Sequence, residues 1–392
     1  MAEIPEAAMA QNEKVTRHTA IKVRIYPTSE QAAVIEKTFE CCRYLWNAML
    51  SDEMEFYAAT DILYIPPPAK YKKSAPFLKE ADSVALTAER TILQQTFQRF
   101  FNNPVRNRHP AFKSEKEQRN SYRVYCAYRK NGASNIRLKG EGIVLPKLKW
   151  VRANLYRKPL HWWKLKYATV SRTPAGEYDC SLVYQYDAQN KKSELNEESI
   201  IGINYSVPRL YVDSEGYSPE PPQWRKRQED HLAEMQRRLS RMQPGSKNYQ
   251  EQLDRIRRLH EHIANQRNDF IHKESRRIAD ERDIVCVTDA NLIETSKKLP
   301  LADVMESGFG RFRECLRYKM ERQGKAYVAV ERSAPTAKTC HVCGCINDAL
   351  TLRQRVWACP NCGAKLRREE NAAINIREIG LKQWEAENGI YN

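Results

Sequence analysis

The 392-residue chain has no run close to the ~20 consecutive apolar residues that a membrane-spanning helix needs. Its first twenty residues, MAEIPEAAMAQNEKVTRHTA, lack the apolar stretch of a secretory leader. They predict a flexible tail over residues 1–20 of an intracellular protein. No heptad pattern is long enough to force a dimer, so a monomer is expected. Acidic residues are under-represented: 49 Asp and Glu stand against 65 Lys and Arg, a formal charge of +16. That excess favours a polyanionic partner, and nucleic acid is the commonest one. A basic membrane-surface protein is the alternative, but the chain has neither an amphipathic Trp/Lys anchor nor a lipidation signal.

What is present is enough for more than one core. The length suggests two to four domains, and 41% hydrophobic residues can fill them. IKVRIYPTSEQ (21–31) reads as a strand followed by a helix start, with Thr28 as N-cap and Gln31 completing a capping box. Helical spacing continues to about residue 60 and returns over 82–101, where Asp82 or Ser83 is the expected cap. A Pro-rich loop separates the two helices. Residues 102–123 form a basic irregular stretch. From about 120 to 190 the period drops to two, with Gly/Pro turns, which predicts a small antiparallel barrel. The polar segment DAQNKKSELNEES (187–199) is the expected domain boundary. Beyond it, IGINYSVPRLYVDSEG (201–216) reads as two short strands. An Arg-rich helical hairpin, a buried strand DIVCVTDANL (283–292), a helix and a further strand KAYVAVE follow, an order that suits an α/β domain.

Cysteine usage divides in two. Cys41, Cys42, Cys126, Cys180, Cys286, Cys315 and Cys345 are scattered among apolar neighbours, as small core residues in a reducing compartment would be. Cys340, Cys343, Cys359 and Cys362 instead give C-x2-C twice, fifteen residues apart. This is zinc-ribbon spacing, and four thiolates close a tetrahedral shell, so the expected zinc is structural. A glycine follows the second cysteine of each pair, where backbone N–H groups turn toward sulfur. His341 and Cys345 are off register and are not expected to be ligands.

In this order, KVRIYPTSEQ, CCRYLWN, LPKLKWV, ATVSRTPAGEY, GINYSV, the Arg-rich hairpin, CVTDANL, PTAKTCHVCG, CPNCG and ENAAINI resemble the TnpB family of transposon-encoded RNA-guided nucleases, related to type V CRISPR effectors. The resemblance covers roughly residues 20–380. It implies an α+β multidomain fold. A β-barrel wedge domain (21–28 and 112–190) would carry a helical recognition insert (29–111). An RNase H-like (RuvC) α/β domain (191–339 and 364–386) would hold an inserted zinc ribbon (340–363), with a tail over 387–392. It also implies a guide RNA, a double-stranded DNA target with a short adjacent motif, and a cytoplasmic prokaryotic protein that joins the nucleoid when bound.

The family's nuclease site uses three carboxylates, and the resemblance places them on Asn204, Thr288 and Glu369. Two positions have lost their charge and the third is one methylene longer. Two-metal phosphodiester cleavage needs anionic oxygens to hold two Mg²⁺ about 4 Å apart. Asp289 falls on the opposite strand face from Thr288, and Asp213 is expected at the far end of the returning strand. Drift in a decaying copy is one explanation. Selected loss of cutting with retained binding is the other, and the intact cysteines, basic faces and periodicities favour it.

The chain is therefore expected to be no enzyme, to carry no Mg²⁺ at the RuvC site, and to resemble the nuclease-dead TnpB-like repressors (TldR) that occupy promoter DNA. A residually active nuclease using Glu369 with Asp289 or Glu370 is one alternative. A guide-free zinc-ribbon DNA binder serving transposition is the other. Expected phosphate contacts are Arg106, Arg108, Lys113, Arg119, Tyr122 and Arg123 in the basic stretch, and Arg237, Arg238, Arg241, Arg257 and Arg258 in the hairpin. Asn47, Gln94 and Gln95 are candidates for base edges, with ordinary helix-surface roles as the alternative.

Overall fold

The computed structural model describes residues 14–105, 107–114, 120–128, 134–189, 196, 198–206, 209–220, 222, 224–289, 308–331, 333–351 and 354–389. The chain divides into two compact units, one of residues 14–189 with 245–258, the other of 190–244 with 259–392.

The first unit is built on a seven-stranded antiparallel sheet. In chain order its strands are β1 (Lys14–Tyr26), β2 (Asn120–Tyr125), β3 (Arg137–Lys139), β4 (Gly142–Leu145), β5 (Lys149–Ala153), β6 (Lys164–Arg172) and β7 (Tyr178–Gln189). Their spatial order is β2-β6-β7-β1-β5-β4-β3, and no ladder joins the two edges among the described residues. β1 begins at Lys14, so the tail expected over 1–20 gives way to strand from that residue on. Its alternation decides the face: Ile21, Val23 and Ile25 are buried, while Lys22 and Arg24 point outward to Asp179 of β7.

Helices α1 (Ser29–Thr60) and α2 (Ser83–Asn102) cover the buried face. α1 starts with the capping box read from sequence, Thr28 accepting from the Gln31 backbone and Gln31 returning the bond. Asp82 caps α2 by accepting from the Val84 backbone N–H. Leu45, Met49, Leu86, Leu93 and Phe97 from the helices share one core with Val124, Ile143, Val151 and Leu182 from the sheet.

The second unit holds a four-stranded sheet in the order β11-β10-β8-β9. β8 (Ile200–Tyr205), β10 (Ile284–Thr288) and β11 (Ala326–Val330) run parallel, and β9 (Tyr211–Asp213) runs antiparallel to β8. Strand alternation assigns the faces. Ile201, Ile203, Val285 and Val287 pack with Phe309, Phe312 and Leu316 of α5 (Phe309–Gln323) and with Ile271 and Ile278 of α4 (Lys247–Glu281). Ile200, Ile284 and Cys286 face the other way, onto Ile376 of α6 (Arg368–Asn388). α6 continues to Asn388, into the segment expected as a tail.

α6 lies unusually close to the sheet. A Cβ on Gly202 would sit 2.1 Å from the Ala373 carbonyl oxygen, and one on Gly380 would sit 2.3 Å from the Cys286 sulfur. Only glycine permits this approach.

α3 (Trp224–Ser240) and α4 form the Arg-rich helices. Residues 245–258, expected with the nuclease domain, group instead with the first unit. A single 35-residue helix is shared between the units, so no linker marks that boundary. A small two-stranded sheet, β12 (Val356–Ala358) with β13 (Lys365–Arg367), completes the cysteine ribbon.

Candidate nuclease-like site and zinc ribbon

The carboxyl ends of parallel strands are where α/β sheets place their sites, and here β8 and β10 end side by side. The ladder pairs Val287 with Ile203, so the next residues, Thr288 and Asn204, are neighbours. Both follow the alternation that faces α6. The first turn of α6 brings Glu369 to the same place. Asn204 Nδ2 donates to the Glu369 carbonyl oxygen at 3.4 Å, and Ser206 Oγ donates to Glu369 Oε2 at 2.9 Å. The three positions that the resemblance singled out thus gather at one strand-end site, and Ser206, which sequence reading missed, orients its carboxylate.

The neighbouring acids are engaged elsewhere. Asp289 turns to the α5 face, where Arg313 pairs with it at 2.8 Å. Asp213 is the last residue of β9, the far end of the returning strand as expected, and pairs there with Ile203. It faces away from α6, is buried, and accepts the Glu215 and Tyr217 backbone N–H groups at 3.0 and 2.8 Å. Burial pushes its carboxyl above the usual range. Glu370 lies against Gly216, whose positive φ keeps that turn free of a side chain. An amide, a hydroxyl and one carboxylate do not match the donor set that two Mg²⁺ ions require.

The four-cysteine cluster has the opposite character. Its sulfurs all lie within 4.8 Å of one another. Two equivalent knuckles present them: Gly344 N–H donates to the Cys340 carbonyl and Cys340 N–H to the Cys345 carbonyl. Gly363 to Cys359 and Cys359 to Ala364 repeat the pattern. Gly344 and Gly363 have φ of +75° and +74°, which explains the glycine after each pair. Backbone N–H groups of Cys362 and Asn361 lower the Cys359 thiol to about 6, toward the thiolate that a metal binds. The residues present fit a structural zinc: four soft donors with no open position. Trp357, Leu350 and Leu366 form a small core beneath it. Cys345 stays out of the cluster and donates to the Ile346 carbonyl.

The expected nucleic-acid contacts separate on burial. Tyr122 is a core residue, 4% exposed and tilted on Phe39 at 5.7 Å, so its assignment to nucleic acid is corrected. Asn47 is corrected too. Its amide clasps the Lys113 backbone both ways, at 2.8 and 3.0 Å, and has no edge left for a base. Lys113 Nζ is held by the buried Glu89 at 2.8 Å and lies over the Trp46 ring, which removes it from the phosphate contacts. Arg123 stacks on Tyr167 and Arg257 pairs with Asp254. Arg108, Arg237, Arg238, Arg241 and Arg258 face solvent, as do Gln94 and Gln95 on α2. Arg106 and Arg119 lie outside the described residues.

Comparison with known proteins places this geometry. Residues 309–376 match a "Cas12f1-like, TNB domain", residues 182–297 a "Probable transposase", and residues 17–61 a "Helix-turn-helix domain". In this chain the last of these segments is β1 followed by the single long helix α1. A protein of Streptomyces pristinaespiralis named "Putative RNA-guided DNA endonuclease" is 30% identical over 95% of this chain and 91% of its own length.

The chain belongs to the TnpB family.

The Escherichia coli K12 protein "Putative RNA-guided DNA endonuclease InsQ" is 26% identical to this TnpB-family chain over 93% of it and 92% of its own length. The fold is like that of Cas12f1, solved as an sgRNA–target DNA complex, with a TM-score of 0.56 at 12% identity, over 93% of this chain and 99% of that one. The fold class is thus an α+β multidomain architecture of the Cas12 effector kind. The relatives correct one expectation. They carry endonuclease names, which points to nuclease activity, and the reading of this chain as a non-enzyme is withdrawn. Among the described residues, no helix is long and apolar enough to cross a membrane.

Proposed function

We propose that this chain works as a monomeric ribonucleoprotein. Loaded with a guide RNA, it binds guide-matched double-stranded DNA beside a short adjacent motif, and its occupancy of promoter DNA represses transcription. The observation that carries this reading is likeness along nearly the whole chain to a protein named as an RNA-guided DNA endonuclease. The charge of +16 supplies the electrostatic footprint. In this logic base pairing reads the sequence, while the protein reads the backbone, the A-form shape and the adjacent motif. The solvent-facing Arg108, Arg237, Arg238, Arg241 and Arg258 are the proposed phosphate contacts, and Gln94 and Gln95 the proposed base-edge contacts.

Cys340, Cys343, Cys359 and Cys362 would hold one structural zinc. Strand cutting, the activity for which the relatives are named, depends in this chain on Glu369, the carboxylate at the strand-end site.

The test is to sequence RNA that copurifies with the protein and to measure binding of matched and mismatched duplexes. A single abundant RNA with a constant scaffold and a variable end is expected, with matched DNA preferred. Bulk cellular RNA and equal binding of both duplexes would overturn the proposal. On matched DNA with Mg²⁺ or Mn²⁺, Glu369→Gln is expected to lower guide-dependent cutting while leaving binding intact.

A further inference from the structure

The ribbon and the strand-end site meet at one turn of helix. β13 ends at Arg367, which is also the N-cap of α6, so ribbon strand passes into helix with no linker. Arg367 makes no side-chain capping bond. A first turn without a cap leaves backbone N–H groups to be satisfied from outside. The bond that does so next to the cap is Arg368 N–H to the Arg355 carbonyl at 2.8 Å, from the segment leading into β12.

A second connection comes from two buried asparagines one helical turn apart. Asn371, 1% exposed, accepts His341 N–H at 3.0 Å on its Oδ1, and the His341 Nδ1 lies 3.0 Å from the same oxygen. His341 stands between the knuckle cysteines Cys340 and Cys343. Asn371 Nδ2 donates to the Thr339 and Thr336 carbonyls at 2.7 and 3.3 Å. Asn375 Nδ2 donates to the same two carbonyls, at 2.7 and 2.8 Å. Two asparagines therefore grip the approach to the first knuckle. On the other side of this turn, Glu369 receives Ser206 and Asn204 of the sheet end.

We propose that Asn371 and Asn375 are positioning residues that make metal loading of the ribbon set the placement of Glu369. A folded ribbon holds Arg368 through β12 and the Asn371 amide through the knuckle loop. Unfolding it releases both, and an uncapped first turn then frays. Gly202, pressed against the Ala373 carbonyl, fixes the helix just beyond that point, so the released segment is confined to the turn that carries Glu369.

The inference does not depend on a guide RNA, and it is tested on the zinc-loaded full-length protein by amide hydrogen exchange. Three states are compared: loaded protein, chelator-treated protein, and Asn371→Ala, whose zinc content is measured in parallel. Chelation is expected to speed exchange at residues 368–372 and to perturb residues 204–206. Asn371→Ala is expected to speed exchange at the same residues by about tenfold while keeping its zinc, the effect of losing buried hydrogen bonds.

A generic destabilisation of α6 is controlled by Ile379→Ala, on the same helix and packed against the sheet. Its effect should fall on the later turns and leave 204–206 unchanged. The inference is overturned if chelation loosens the ribbon with no change at 368–372. It is also overturned if Asn371→Ala exchanges like the parent, or if Ile379→Ala reproduces its pattern at 204–206.

Discussion

Two sites in the second unit share a helix and have opposite donor sets. The ribbon presents four like donors within 4.8 Å of one another, on two superposable knuckles. The strand-end site has an equally specific scaffold: parallel strands in register, two glycine approaches to α6, and a carboxylate oriented by Ser206. Yet only one of its three positions is acidic. Scaffold and ligand set are thus separable. Packing holds the strand ends together without the charges, whereas the ribbon has a core of only a few side chains beneath a four-thiol cluster that fits a structural metal.

Breaking each site should expose that difference. The largest effect is expected for Cys359→Ser. Structural zinc contributes on the order of 10 kcal/mol to folding of such domains, so the variant should lose its zinc and its ribbon. Metal analysis would read close to none per chain, against one for the parent. Gly202→Ala comes next, because its Cβ would meet the backbone oxygen of Ala373 at 2.1 Å. A cost of about 3 kcal/mol is expected, read by denaturant unfolding, with zinc retained. That pair of results would show that the sheet can be strained without loss of the ribbon's metal.

Ser206→Ala removes one hydrogen bond to a carboxylate, worth about 1–2 kcal/mol. Its sharper readout is altered exchange at the start of α6. Smallest is Arg313→Ala, which frees an Asp289 that is two-thirds exposed. No more than about 0.5 kcal/mol is expected. Unchanged cutting in that variant would keep Asp289 out of the site.

Much of this was legible in the sequence, for identifiable reasons. Cysteine spacing reports local geometry, because each knuckle closes within six residues. The Thr28 capping box and the alternation in β1 are likewise local. The convergence of Asn204, Thr288 and Glu369 was readable only through family resemblance, since the residues come from distant segments. What was missed depends on burial. Lys113 and Tyr122 sit in a basic, aromatic stretch and Asn47 on α1, and nothing in composition separates a Lys held by buried Glu89 from one facing solvent. Asn371 and Asn375 did leave a signal, a polar pair four residues apart and so on one face of a helix whose neighbouring positions Ala372, Ala373 and Ile376 are small or apolar and buried.

The central claim is that the strand-end site is a formed scaffold in which Glu369 is the one acidic position of the three. The most direct measurement is cutting of a guide-matched duplex by the ribonucleoprotein in Mg²⁺, comparing the parent with Asn204→Asp/Thr288→Glu. An intact scaffold should accept the two carboxylates, and the double variant should cut at least about tenfold faster, a gain of about 1.4 kcal/mol in barrier, with target binding unchanged. A double variant that folds, binds the matched duplex and cuts no faster than the parent would contradict the account.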